Sequence, residues 1–238
     1  CGPVVLAVAA PVRLAAVLAV PAGPAAACRL ALVLAVDVSG SVDPSEYEIQ
    51  MRGLAEALRD AVVSEALVRA EAAVTLVQWT GSTRQVVSVP WTRTLTFEEV
   101  DALALKIETT GRKWRNFSTA IGEALDFARA QFDSAPACDR RVIDLSGDGV
   151  SNEGREPRDH HAALRAAGIT VNALAIEASV EDLTAYFWEN VITGEGAFVA
   201  TADSFADYPD RIRQKLIRET TKQLACVAPG CRGQGDEG

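Results

Sequence analysis

Leu30-Ala31-Leu32-Val33-Leu34-Ala35-Val36, followed at once by Asp37-Val38-Ser39-Gly40-Ser41, is the stretch on which the fold turns. Seven apolar residues without interruption suit a central strand covered on both faces. Asp43-Pro44-Ser45-Glu46 then supplies an N-cap, a proline at the first helical position and a glutamate at the third, ahead of Leu54, Leu58 and Val62 on one helical face. Strand, short loop and helix recur down the chain. Residues 73–79 and 85–89 read as two strands joined by a turn at Gly81-Ser82, the second antiparallel and at an edge. Thr96-Phe97-Glu98-Glu99 caps another helix, and residues 119–132 set Ile121, Leu125, Ala128 and Phe132 on one stripe. A strand over 141–146, a helix over about 157–167 stopped by Gly168, and a strand over 169–176 come next. A helix after Ser179, a short strand over 197–201 and a last helix through Ile212 and Leu216 complete the series. About six strands and six helices over residues 28–221 predict an α/β domain. It has one doubly wound, mostly parallel six-stranded sheet, helices on both faces and one antiparallel edge strand.

The chain has 238 residues, is 49% hydrophobic and 23% charged, and so has enough apolar material for a full core. Wholesale disorder, collagen-like repeats and a disulfide knot are excluded as classes. With 23 Lys plus Arg against 32 Asp plus Glu the formal charge is −9, and lysine occurs only at positions 106, 113, 215 and 222. Such a surface attracts neither a phosphate backbone nor an anionic bilayer, so nucleic acid is not an expected partner. Residues 1–27 are rich in Ala, Val, Leu and Pro and carry one charge, Arg13, before the apolar run 14–20. Pro21 and Pro24 break the run and Ala25-Ala26-Ala27 offers a small-residue cleavage site, so 1–27 reads as a secretory signal peptide cleaved before Cys28. The uncharged stretch 14–28 is too short to span a bilayer comfortably, and no stable membrane insertion is expected after cleavage. A lipoprotein reading of Ala-Ala-Ala-Cys, with Cys28 lipidated, is the alternative to a free periplasmic or secreted domain. Residues 222–238, rich in Gly and Pro, read as a flexible tail.

Three segments carry chemistry, each just past the carboxyl end of a strand, where parallel α/β sheets build their sites. Asp37-Val38-Ser39-Gly40-Ser41 is the first. Fully extended, residues four apart stand roughly 13 Å from each other, so the segment must curl, and Gly40 permits it. Curled, it aims one carboxylate and two hydroxyls at a common point, a hard oxygen set suited to Mg²⁺. Thr119, at a helix start, offers another hydroxyl, and Asp148-Gly149 adds a second carboxylate. Two carboxylates neutralise a divalent ion formally, and neutral Ser, Ser and Thr ligands leave it electrophilic.

These D-x-S-x-S, T and D-G elements, in this order, resemble the metal-ion-dependent adhesion site of the von Willebrand factor type A domain, over roughly residues 28–221. Leu-Ala-Val-Asp-Val-Ser-Gly-Ser-Val-Asp and Ser-Gly-Asp-Gly-Val-Ser-Asn further resemble a bacterial, exported subgroup of that superfamily with no assigned function. The resemblance implies Asp37, Ser39, Ser41, Thr119 and Asp148 as metal ligands, the hydroxyls nearest the ion and the aspartates partly acting through water. It implies Mg²⁺, or Mn²⁺ or Ca²⁺, as the ion, and a protein partner that supplies an Asp or Glu carboxylate. The second element departs from the family pattern: Asn116-Phe117-Ser118 stands where Gly-Gly usually precedes the threonine, so Ser118 is the alternative to Thr119.

Taken singly, Ser-Gly-Ser and Asp-Gly are common turns, and the order of all three segments is what favours a metal. Asp144, inside a strand, either orients a site hydroxyl or makes a strand-face hydrogen bond. Adjacent His160 and His161 read as a solvated helix start, Glu181 and Asp182 as helix caps, and Trp79, Trp91, Trp114 and Trp188 as core or rim. A Mg²⁺-dependent phosphatase of haloacid-dehalogenase type is the alternative function, with Asp37 as nucleophile. That chemistry needs an acid two residues on, where Ser39 stands. A serine hydrolase lacks both Gly-x-Ser-x-Gly and a supply of histidines. A binding module, not an enzyme, is therefore expected.

If Asp37 and Asp148 meet at one ion, their strands are parallel near neighbours, and Cys28 and Cys138 begin those strands nine and ten residues earlier. Adjacent strands lie about 4.8 Å apart, so a Cys28–Cys138 disulfide is expected, which export permits. Cys226 and Cys231 would close a small loop of their own.

Overall fold

The computed structural model describes residue 2 and residues 28–178 and 180–221. The expected signal peptide, the expected tail and the expected Cys226–Cys231 pairing fall outside the described residues, residue 2 apart. A six-stranded sheet runs in the order β3-β2-β1-β4-β5-β6. Its strands are β1 (Cys28–Asp37), β2 (Ala73–Trp79), β3 (Gln85–Arg93), β4 (Cys138–Gly147), β5 (Ile169–Ile176) and β6 (Val199–Ala202). All neighbours pair in parallel except β2 with β3, so the antiparallel strand is at the edge as expected.

β1 lies in the middle because both its faces find cover. Leu30, Leu32, Leu34 and Val36 enter one apolar cluster, together with side chains of α1 (Pro44–Arg59), α3 (Phe97–Glu108) and α7 (Tyr208–Thr221). Ala31, Val33 and Ala35 enter the other, against α4 (Ile121–Gln131), α5 (His161–Ala166) and α6 (Leu183–Asn190). The period-two alternation of a strand divides one apolar run between two cores. Among the described residues no helix is long and apolar enough to cross a membrane.

Among the described residues seven α-helices stand where about six were expected, because the first breaks at Asp60. That residue, extended at φ −55° and ψ 136°, accepts from the Val62 and Val63 amides and so starts α2 (Ala61–Arg69). Val62 consequently leaves the buried stripe and is 46% exposed. The stretch 157–167 divides into a 3₁₀ turn, Pro157–His160, and the short α5. His160 is not solvated: only 4% exposed, it packs beside Gly122 of α4, and desolvation holds its pKa below the ordinary value. Asp182 occupies the N-cap of α6 in the left-handed region, φ 59°, without a side-chain hydrogen bond, so it does not cap as expected. Trp79 is core, whereas Trp188 stands 61% exposed on α6.

Cys28 and Cys138 are register partners in the parallel β1–β4 pair, and a disulfide joins them with Cα atoms 4.5 Å apart. It clasps the sheet at the end opposite the carboxyl-terminal loops.

Candidate metal centre

β1 and β4 end side by side, with Val36 opposite Ser146 in register. Just beyond, Asp37 on one strand and Asp148, after Gly147, on the other turn into one space. Two features draw the strand ends together. Gln50 of α1 donates to the Asp37 carbonyl at 3.2 Å and accepts from the Ser146 hydroxyl at 3.1 Å. Gly147 lets the backbone approach, since a Cβ there would lie 3.1 Å from Asp37 Oδ2.

The loop after β1 curls as its composition demands. The Ser39 amide donates to Asp37 Oδ1 at 2.7 Å, the Ser39 and Ser41 hydroxyls lie 3.2 Å apart, and the Ser41 hydroxyl donates to Asp148 Oδ1 at 2.6 Å. The Gly40 amide donates to the Phe117 carbonyl at 2.7 Å, and a Cβ at position 40 would lie 3.2 Å from that same oxygen, so the loop after α3 presses where only glycine fits comfortably. Thr119 is held by the loop after β4: its amide donates to Asn152 Oδ1 and its carbonyl accepts from the Asn152 amide, both at 2.9 Å. Ser41, Thr119 and Asp148 line an open cleft of about 230 Å³, with Phe117, Val150 and Val180 along it. Ser118 turns elsewhere, its hydroxyl donating to Glu153, which also accepts from Ser82.

All five residues of the sequence-derived set therefore converge. Asp37, Ser39 and Asp148 are buried, Thr119 is 5% exposed, and Ser41 is exposed at the mouth. The electrostatics oppose ionisation of both carboxyls. Burial, and then the Asp148 carboxylate, push Asp37 up to about 8, and burial raises Asp148 as well. Oδ2 of each is buried without a hydrogen-bond partner. Ionising both carboxyls out of water, with orphaned oxygens, is costly unless a cation joins them. The Ser39 and Ser41 hydroxyls and Asp148 Oδ1 stand 3.2 and 2.6 Å apart, a cluster of hard oxygens that would suit a divalent cation. Among the described residues no three His, Cys, Asp or Glu side chains gather as a metal cluster, here or elsewhere, and the set at this site is two carboxylates with three hydroxyls. The donor set fits a hard divalent cation.

Arg112, which sequence reasoning passed over, donates from Nη2 to the Val38 and Ser39 carbonyls at 3.0 and 2.8 Å and so braces the loop from behind. Nothing in its local sequence marks it. Asp144 serves no site hydroxyl. It faces α7, where Lys215 lies 2.5 Å from Asp144 Oδ1 and 2.7 Å from Glu219 Oε1, all three buried. Glu219 also accepts from Asn172 at 2.8 Å. An aspartate within an apolar strand, and a lysine on the same helical stripe as Ile212 and Leu216, were the signals for this triad.

Several solved structures share the fold. A von Willebrand factor type A domain from Catenulispora acidiphila is 18% identical, with a TM-score of 0.60, over 81% of this chain and 43% of its own. Proximal thread matrix protein 1 from the mussel byssus, solved with a zinc-occupied MIDAS motif, is 15% identical, with a TM-score of 0.61, over 82% of this chain and 46% of its own. The chain thus spans less than half the length of either. BatB from Bacteroides thetaiotaomicron, a conserved hypothetical protein, is 20% identical, with a TM-score of 0.52, over 81% of this chain and 99% of its own. A search of curated proteins gave no match. The fold is that of a von Willebrand factor type A domain, and a family of proteins of unknown function, DUF1194, matches residues 27–224, so the chain belongs to that family.

Proposed function

We propose that the domain is a divalent-cation-dependent protein-binding module. Asp37, Ser39, Ser41, Thr119 and Asp148 hold Mg²⁺, or Mn²⁺ or Ca²⁺ in its place, and the ion's open position accepts an Asp or Glu carboxylate of a protein partner. The observation that carries this reading is the pair of buried, partnerless Oδ2 atoms on Asp37 and Asp148, set among hydroxyls at the edge of a cleft. The bound ion would supply Lewis acidity toward an anionic ligand, because its protein ligands beyond the two carboxylates are neutral. The zinc-occupied MIDAS motif of the mussel protein gives the reading a precedent in the same fold.

The module is not an enzyme on this account. Both histidines lie in or beside the short turn before α5 rather than at the cleft, and the residue two after Asp37 is a serine whose hydroxyl meets Ser41, so no second acid serves a phosphatase. Residues 1–27 act as a secretory signal and the domain works in the periplasm or outside the cell, where the Cys28–Cys138 disulfide is at home. Pull-down from periplasmic extract, with Mg²⁺ or with EDTA, tests the proposal. A partner retained by the wild type only in Mg²⁺, and not by Asp37→Ala, is expected. Mg²⁺-dependent turnover of p-nitrophenyl phosphate, lost in Asp37→Asn, would favour the phosphatase instead.

A further inference from the structure

The strap over residues 110–118, Thr110-Gly111-Arg112-Lys113-Trp114-Arg115-Asn116-Phe117-Ser118, holds three cations and no carboxylate in a chain of formal charge −9. It contains neither helix nor strand, yet it is pinned across the carboxyl ends of β1 and β2. The Tyr47 hydroxyl donates to the Thr110 carbonyl at 2.7 Å, and Gln78 both donates to the Gly111 carbonyl at 3.1 Å and accepts from the Lys113 amide at 2.9 Å. At the far end the Thr80 hydroxyl donates to the Ser118 carbonyl at 2.8 Å. Trp114 packs against the core between these anchors. A strap pinned this way has its backbone already ordered, which lowers the entropy cost of binding.

Its outward side chains are Lys113 and Arg115, both exposed, and neither has a carboxylate at ion-pair distance among the described residues. Arg84, on the turn between β2 and β3, adds a cation whose guanidinium stands 3.8 Å above the Phe117 ring. Phe117 and Val150, each 37% exposed, put apolar surface on the cleft. Lys113 and Arg115 thus stand on the strap between Arg112, which braces the loop after β1, and Phe117, which lines the cleft, exposed cations on a molecule of net negative charge. We propose that the partner presents an acidic segment rather than a single acid, one carboxylate completing the ion and a second seated against Lys113 and Arg115. The inference rests on the metal-binding reading above. A long polyanion is disfavoured because the rest of the surface repels it, whereas a short acidic peptide meets only the strap.

The test uses a displayed random twelve-residue peptide library, selected in Mg²⁺ and eluted with EDTA, on the wild type and on Lys113→Gln/Arg115→Gln. Calorimetry with Mn²⁺ is run on both proteins. Peptides from the wild type are expected to carry two or more acidic residues, and those from the variant about one. A synthetic peptide from the first selection should bind the variant about tenfold more weakly, two exposed charge pairs each being worth a few-fold. Single-acid peptides from both proteins, or no EDTA-eluted enrichment from a wild type that gives Mn²⁺ heats, overturns the inference. Equal capture of dextran sulfate by the wild type with and without Mg²⁺, at the strength of the best peptide, overturns it too. Absence of Mn²⁺ heats from the wild type would instead strike the metal reading beneath it.

Discussion

Replacing Cys28 and Cys138 together by alanine removes a cross-link between residues 110 apart in sequence. In the chain-entropy model a loop of that length restricts the unfolded ensemble by about 16 cal/mol/K, which is about 4 to 5 kcal/mol at room temperature. Urea m-values for domains of this size are about 2 kcal/mol/M, so the midpoint of the oxidised protein should fall by about 2 M in the double variant. The thermal midpoint should fall by roughly 10 to 20 °C. Metal affinity should change little, because the bond joins the first residues of β1 and β4 while the carboxylates stand at their far ends, about 30 Å away along the strand. Urea titration of both proteins, with peptide mapping under non-reducing conditions, is the assay. A variant midpoint within about 0.5 M of a wild type proven to contain the bond would refute the entropic argument. A Cys28 peptide found free, lipidated, or joined to Cys226 or Cys231 would refute the pairing.

Lys215→Met should cost about 3 to 5 kcal/mol in urea, because it strands Asp144 and Glu219 as buried acids without their cation. Adding Asp144→Asn and Glu219→Gln should recover most of that loss, and a triple variant no more stable than the single one would contradict the assignment. Stability should also depend on pH through Glu219, which burial and Asp144 hold up at about 8. Such a carboxyl keeps in the folded state a proton that the unfolded chain gives up near pH 4. Its contribution is complete below that pH and is lost as pH rises through about 8. In EDTA the unfolding midpoint should therefore fall from pH 6 to pH 9, less steeply in Glu219→Gln, and identical slopes would exclude Glu219 as a source. Asp37→Asn should raise the stability of the metal-free protein at pH 8 and above by about 1 to 2 kcal/mol, because it removes a carboxyl whose ionisation burial and then Asp148 oppose. A lower midpoint for the variant in EDTA at that pH would count against a costly ionisation.

The strand pattern was legible because β1 is buried on both faces, leaving an unbroken apolar run, and because each chemical segment follows a strand directly. The register of Cys28 with Cys138 followed from counting back along two parallel strands from a shared site. Local sequence did not reveal the break at Asp60, since Leu54, Leu58 and Val62 continue the helical period across it and the competing cap is visible only as hydrogen bonds. His160 looked like a surface residue for a similar reason: its cover comes from α4, some forty positions earlier in the chain. The different placing of Ser118 and Thr119 depends on distant groups, Glu153 engaging the first and Asn152 fixing the backbone of the second beside the cleft. Arg112 binds carbonyls, which any residue offers, so it leaves no trace in a motif.

The central claim is that Asp37 and Asp148 are held apart from water in order to share a divalent ion. Isothermal calorimetry of Mn²⁺ and Mg²⁺ binding to the EDTA-stripped domain, with wild type and Asp148→Ala compared at pH 8, tests it most directly. The account predicts one site per wild-type molecule and no measurable heat in Asp148→Ala, with Asp148→Ala still folded by circular dichroism. Equal heats and stoichiometry from the two proteins would contradict it.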